Sequence, residues 1–439
     1  MTPIRRGDIA FHAGQQRIKL FRRDQTILST RQMTSPELVS KIRSDAFQTA
    51  NANPADEAAR RWRASLPGEL RRRSLVRGGV LLSVAAVGYV ASMVGAVWLP
   101  TFFGRTFSLG VAPVMIGALF VIGHDAAHNS LTPYGWLNRL LGRLVLLPAW
   151  HPYTSWVYAH NTLHHGGTNL RGKHPDFVPL TRGEYDRLPR WRRLLEKFYR
   201  SPLGPGHSYL IGFYLGYILF PSKERRPPLR RQFEWDRLLV FGFFALQILG
   251  VYLLARQTSG LWLPPLPYAF FDVMLPWMLW VQFMGFISYI QHTHPRLAWY
   301  DDPKEWTFYH VQLKSSTHVV FPFPIERIIN NIMDHAAHHI DPAIPLYHLP
   351  KSQRLLEQSC EEHAAVIRWS PWQYLELCRV CKLYDFERHC WTDFEGYATS
   401  EMGLPGLAFK GGKPPEATLA LSLARTVKPK GRRPMVLMR

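Results

Sequence analysis

A chain of 439 residues with 47% apolar and 13% aromatic residues can form one large domain or two ordinary ones. Its formal net charge of +21 suggests nucleic acid or a membrane surface. Residues 1–77 hold 16 Lys and Arg against 7 acids and residues 409–439 hold 8 against 1, with no aromatic-interleaved basic stripe, which excludes a nucleic-acid partner in favour of anionic lipid.

Residues 1–76 form a polar, basic segment without an apolar leader core. The windows 78–98, 107–123, 238–255 and 268–290 are long and apolar enough to span a bilayer, and the first three carry no charge. The first span doubles as the uncleaved targeting signal, and Arg71, Arg72, Arg73 and Arg77 place its N-terminal side in the cytoplasm. Asp272 and Pro276 interrupt the fourth window; Asp272 is expected to be tolerated near the interface and the positive helix end. The stretches 140–150 and 208–220 are too short to span and read as helices lying in the interface or packed over the site.

The spans pair into two hairpins, 78–123 and 238–290, within a membrane domain over residues 77–360. A C-terminal helical extension, 361–400, and a basic, disordered tail, 401–439, follow. There is almost no period-two alternation, so the fold is expected to be all-α. Cys378 and Cys381 form a lone C-x-x-C in a helical-looking run from Trp372 to Phe386, with His389 and Cys390 nearby and Cys360 apart. A zinc site there is conceivable, but two ordinary helix residues are the better reading.

Histidine spacing carries the chemistry. With 19 histidines in 439 residues, any fixed three-histidine pattern is expected roughly 0.04 times by chance. Two occur, His160-x-x-x-His164-His165 and His335-x-x-His338-His339; the pair His124/His128 gains weight from its company. On an α-helix, residues three or four apart share a face, so their imidazoles reach one metal ion or two adjacent ones, while His165 points about 100° away from His164. Eight imidazoles exceed the four ligands that satisfy one zinc and suit two ions of intermediate softness with room for an exogenous ligand. With four spans, all three clusters lie on one membrane face. A ninth ligand is expected from the end of the fourth span, where Pro295 stops the helix: His292 ahead of His294. His151, His174, His310, His318 and His348 have no clustered partner and read as structural. Asp125, Asn161, Asp176, Asp334 and Asp341 are placed to orient the imidazoles.

The segments GHDAAHNSL, WVYAHNTLHHGGTN, YIQHTHP and MDHAAHHIDPAIPLYHL, in that order, resemble the membrane fatty acid desaturases, in particular the acyl-lipid omega-6 (delta-12) type, over roughly residues 75–355. The resemblance implies an all-α integral membrane protein, four transmembrane helices under a cytoplasmic helical cap, holding a histidine-ligated di-iron site. On that mapping His124, His128, His160, His164, His165, His292, His335, His338 and His339 bind two iron ions (Fe2+/Fe3+), and no separate catalytic acid or base is named. The enzymes of this type use O2 and two electrons to desaturate an acyl chain in a lipid or thioester. A histidine-ligated oxidising centre suits the strength of an alkane C–H bond. Ala126 and the basic termini depart from the family's pattern. Without a His-Pro-Gly-Gly haem motif, electrons are expected from a separate ferredoxin- or cytochrome-type donor. Two rivals share the histidines: hydroxylation, epoxidation or ketolation of a lipid or carotenoid at the same irons, and a non-enzymatic zinc-binding membrane protein. In a bacterium the protein is expected in the plasma membrane, with both termini cytoplasmic.

Overall fold

A computed structural model of the chain describes residues 54–359 and 365–403. After a first helix, α1 (Pro54–Ser65), the chain enters the hairpin α2 (Leu75–Trp98) and α3 (Phe102–Ala127). Each helix starts on a hydroxyl cap: Ser74 Oγ accepts from the Arg77 amide at 3.3 Å, and Thr101 Oγ1 from the Gly104 amide at 3.0 Å. Pro100 helps confine the turn between them to three residues. α4 (Gly135–Val145) follows, then α5 (Tyr153–Val157), which runs without a break into a π-helix, Tyr158–His164. Two short helices, α6 (Arg182–Arg187) and α7 (Arg190–Tyr199), precede α8 (Gly204–Ser208) and its π-helical continuation Tyr209–Leu219. The second hairpin is α9 (Arg230–Ala255) and α10 (Pro265–His292).

These four long helices are apolar enough to cross a membrane, and each begins before the corresponding sequence window. The inner pair is α3 and α10, with 61% and 56% of their most apolar stretches buried, against 33% and 17% for α2 and α9. Val80, Val84 and Val87 on α2 and Leu246 and Leu249 on α9 face outward at half exposure or more, as lipid-facing positions should. α8 packs on α10 through glycines: a Cβ on Gly285 would lie 2.5 Å from Gly206 Cα. Only small residues permit that approach. The 28 residues of α10 reach about 42 Å, beyond the roughly 30 Å of a hydrocarbon core, so one end projects into the cap.

The cap is built from α11 (Phe308–Lys314), α12 (Ile325–Ile328), α13 (His335–Ile340), α14 (Leu349–Ser359) and α15 (Pro371–Val380). α1 belongs to it. Asp341, just past α13 and fully buried, accepts from Arg63 Nη2 at 3.0 Å and from Arg71 Nε at 2.5 Å.

Three differences from expectation are local. Two small sheets interrupt the helical fold: β1 (His318–Val320) pairs in parallel with β2 (Val366–Arg368), and β3 (Leu383–Asp385) antiparallel with β4 (Cys390–Thr392). The run read as helical to Phe386 ends at Val380, because Cys381 leaves helical geometry and β3 takes over. Asp272 is not tolerated through the interface: it is wholly buried, and neither carboxyl oxygen has a hydrogen-bond partner. Residues 208–220 pack over the site, one of the two placements expected for them, burying Tyr209, Phe213, Tyr214, Ile218 and Leu219 and leaving Ile211 and Phe220 exposed. The disordered-tail expectation, most of the N-terminal segment and Cys360 fall outside the described residues.

Candidate metal centre and acyl cavity

Nine histidines converge where the cap meets the ends of α3 and α10. Their ring nitrogens form two groups, each spanning no more than 4.8 Å: His124, His128, His160, His165 and His338 in one, and His164, His292, His335 and His339 in the other. Either group could hold a metal ion, and together they comprise all eight clustered histidines and His292.

Local backbone geometry deals the ligands between the groups. His124 occupies the last turn of α3 and His128 its cap, with the His128 amide bonded to the His124 carbonyl at 3.2 Å. In the second cluster the helix is π, not α: the His165 amide reaches back five residues to the His160 carbonyl. That wider turn aligns His160 with His165, whose Nε2 atoms lie 3.1 Å apart, and sends His164 to the other group. The expected i,i+4 pairing of His160 with His164 gives stacked rings at 5.1 Å instead of a shared group. On α13 the α-helical rule holds, so His335 and His339 face each other at 3.0 Å while His338 turns to His165, also at 3.0 Å.

The four-histidine group has the electronic form a cation requires. His292 Nδ1 lies 2.9 Å from the Ser315 carbonyl, which can only accept, so Nδ1 carries the proton and Nε2 presents a lone pair. Gln312 Nε2 donates to the His165 carbonyl, which leaves its Oε1 to accept from His339 Nδ1 at 2.7 Å. His339 Nε2 is therefore a second lone pair, 3.2 Å from His164 Nε2 and 3.0 Å from His335 Nε2. His292 Nε2 also lies 3.0 Å from His335 Nε2. One imidazole proton cannot serve several such contacts, whereas a cation accepts every lone pair. Burial first, then neighbouring imidazoles, hold His160, His164, His165, His335, His338 and His339 well below the ordinary histidine range. They are neutral at physiological pH, the form that binds metal.

Below the histidines lies an apolar cavity lined by Gly117, Phe120, Trp156, Phe213, Trp280 and Ile287, among others. His124 and His160 of the first group and His164 and His335 of the second line the same cavity. From Gln291 it descends α10 to Trp280, about 16 Å of helix.

Residues 96–371 match the family model described as fatty acid desaturase. The chain belongs to the fatty acid desaturase family. Membership makes it an oxidoreductase of the desaturase type and a multi-pass membrane protein. Among relatives, it is 28% identical over 318 residues to an sn-1 oleoyl-lipid 12-desaturase of Picosynechococcus sp., covering 71% of this chain and 84% of that one. It is 27% identical to the chloroplastic omega-6 fatty acid desaturase of Glycine max over 62% of this chain and 61% of that one, so the chain spans less than two thirds of the soybean protein. An sn-1 acyl-lipid omega-3 desaturase (ferredoxin) of Nostoc sp. is 29% identical over 57% of this chain and 66% of that one.

Of the five polar residues expected to orient the desaturase's imidazoles, four have other partners and Asp125 stands beside His124. Asp341 serves Arg63 and Arg71; Asp334 lies 3.3 Å from His318 Nε2. Asn161 donates to the Ala127 carbonyl at 2.9 Å, and Asp176 binds His174. Asp125 Oδ1 stands 3.6 Å from His124 Nδ1, while its other oxygen accepts from the Leu346 amide at 2.7 Å. Gln312 and the Ser315 carbonyl take the orienting role instead. His294 stays outside both groups and accepts from the Arg296 amide at 3.1 Å.

His174 lies closer to the centre than its isolation in sequence implied, its ring 4.9 Å from that of His164. Its Nδ1 accepts from the Asn169 amide at 2.7 Å and its Nε2 donates to Asp176 Oδ1 at 2.9 Å, so neither nitrogen is left for a metal. The H-x-D spacing of His174 and Asp176 was the available signal. His151 is structural as expected: its nitrogens lie 2.7 Å from the Ala149 carbonyl and 3.1 Å from the Tyr209 hydroxyl. The side chain of His310 falls outside the described residues. Among the described residues, no cysteine joins a cluster of three metal-ligating groups.

Proposed function

We propose that the chain desaturates a fatty acyl chain of a membrane lipid at two irons, using O2 and two electrons from a separate ferredoxin- or cytochrome-type donor. The observation that carries this reading is the apolar cavity with histidines of both groups in its wall. Within the family, that is what removal of hydrogen from an unactivated chain needs: a dry slot that fixes one stretch of hydrocarbon against an oxidising centre. His124, His128, His160, His165 and His338 would hold one iron and His164, His292, His335 and His339 the other, the four-ligand set leaving more room for an exogenous ligand. Bound iron supplies the one-electron and O2 chemistry that no side chain here can. The protein's own part is to align the chain between Phe120, Trp156 and Trp280 and to exclude water from it. The relatives named for oleoyl-lipid and acyl-lipid substrates favour a glycerolipid carrier.

Residues 77–360 are proposed as the desaturase domain, with the histidine face cytoplasmic. Arg71, Arg72, Arg73 and Arg77 beside the first span support that orientation. Mass spectrometry of lipids from a host with and without the gene tests the reaction. A new double bond is the expected product; oxygen retained on the chain would make the protein a hydroxylase, epoxygenase or ketolase of the same site.

A further inference from the structure

Helix α7 (Arg190–Tyr199, RWRRLLEKFY) buries none of its residues. At 100° per residue, Trp191, Leu194, Leu195 and Phe198 fall on one stripe, with Arg190 at its edge and Arg192, Arg193 and Lys197 on the other side. The N-terminal half of the stripe is bare: Trp191 is 64% exposed and Leu194 68%, while Leu195 and Phe198 are partly covered, and Leu203 just beyond the helix is 75% exposed. The charges also work against the helix itself. Three arginines and no acid stand in the first turn, where the positive end of the dipole disfavours cations. A helix that exposes its apolar face and accepts that electrostatic cost is matched to a surface outside the protein.

Its location says which surface. α7 is joined by four residues to α8, whose Gly206 abuts Gly285 of α10. About 30 Å of helix separates Pro265 from Gly285, the thickness of the hydrocarbon core, so α7 leaves the bundle at the membrane boundary. We propose that α7 is an interfacial anchor, with Trp191, Leu194 and Phe198 immersed below the headgroups and Arg190, Arg192 and Arg193 bound to anionic lipid of the same leaflet. The proposal rests on the chain spanning a membrane and not on the desaturation reaction.

Spin labels at Leu194→Cys and Glu196→Cys, in full-length protein reconstituted into vesicles with and without anionic phospholipid, test it by collision with O2 and with a water-soluble nickel chelate. The cysteines at 378, 381 and 390 are buried, and labelled wild type gives the background. The Leu194 label is expected to be several-fold more accessible to O2 than to nickel and to move deeper with anionic lipid; the Glu196 label should favour nickel. In R190Q/R192Q/R193Q, whose first turn loses its unfavourable charges, the dependence on anionic lipid should disappear. Equal nickel access at both sites would overturn the proposal, as would depth independent of lipid charge. Dipolar broadening between Leu194 labels without immersion would assign the stripe to a second copy of the chain, also against the proposal.

Discussion

The two histidine groups are held by different means. In the group of four, hydrogen bonds donated to the Ser315 carbonyl and to Gln312 Oε1 fix the tautomers of His292 and His339. In the group of five, neither nitrogen of His124 and neither Nδ1 of His165 nor of His338 has a hydrogen-bond partner, with Asp125 Oδ1 3.6 Å from His124 Nδ1; packing does more of the orienting there. Trp156 stacks on His160 at 4.7 Å and 10°, and the five rings crowd edge to face around one another. Hydrogen bonds weigh more in one group and ring packing in the other, so the two should respond differently to substitution.

The largest effect is expected at a ligand of the four-histidine group: His164→Ala should abolish product formation while leaving membrane insertion intact, read by lipid profiling beside membrane fractionation. Normal activity would remove His164 from the centre. Acid should weaken both groups together. Six of the imidazoles are held below the ordinary histidine value of 6.5 in the folded protein. As pH falls through about 6.5 the unfolded chain takes up protons that the folded, metal-free cap does not, so stability is retained above that pH and lost below it. A chelator-stripped sample should melt progressively lower between about pH 7 and 5.5; a constant midpoint would contradict buried neutral imidazoles.

Gln312→Ala separates the groups. Loss of an orienting partner typically lowers metal affinity by about 10–100-fold, and here the loss should fall mainly on the four-histidine group, where Gln312 meets an imidazole and not only a backbone carbonyl, measured by chelator competition. The smallest effect on stability is expected at Trp156→Leu, which forfeits about 1 kcal/mol of ring contact with His160 and should lower the melting midpoint and weaken retention of the ion in the five-histidine group more than in the other.

Much of this was legible in sequence, for reasons that also mark where it stopped. The nine histidines stood out because spacing within a helix is a local property, and the spans because hydropathy needs no partner. The division of ligands in the second cluster was hidden, since nothing in Tyr158–His164 announces a π-helix and the α-helical rule pairs His160 with the wrong neighbour. Gln312 and Ser315 were missed because they reach His339 and His292 from 27 and 23 residues away, across elements whose packing no local spacing reveals. Asp341 was read as an imidazole partner because it follows α13 closely, but Arg63 and Arg71, some 270 residues away, claim it. Asp272 was excused on its position near a helix start, and only the packed bundle reveals it as fully buried.

The central claim is that nine histidines hold two irons in groups of five and four. It is tested most directly by metal analysis of mildly purified protein and of His339→Ala, an alteration confined to the second group. The account predicts two irons per wild-type chain and one in the variant. Zinc in place of iron, a single iron in the wild type, or an unchanged iron content in His339→Ala would contradict it.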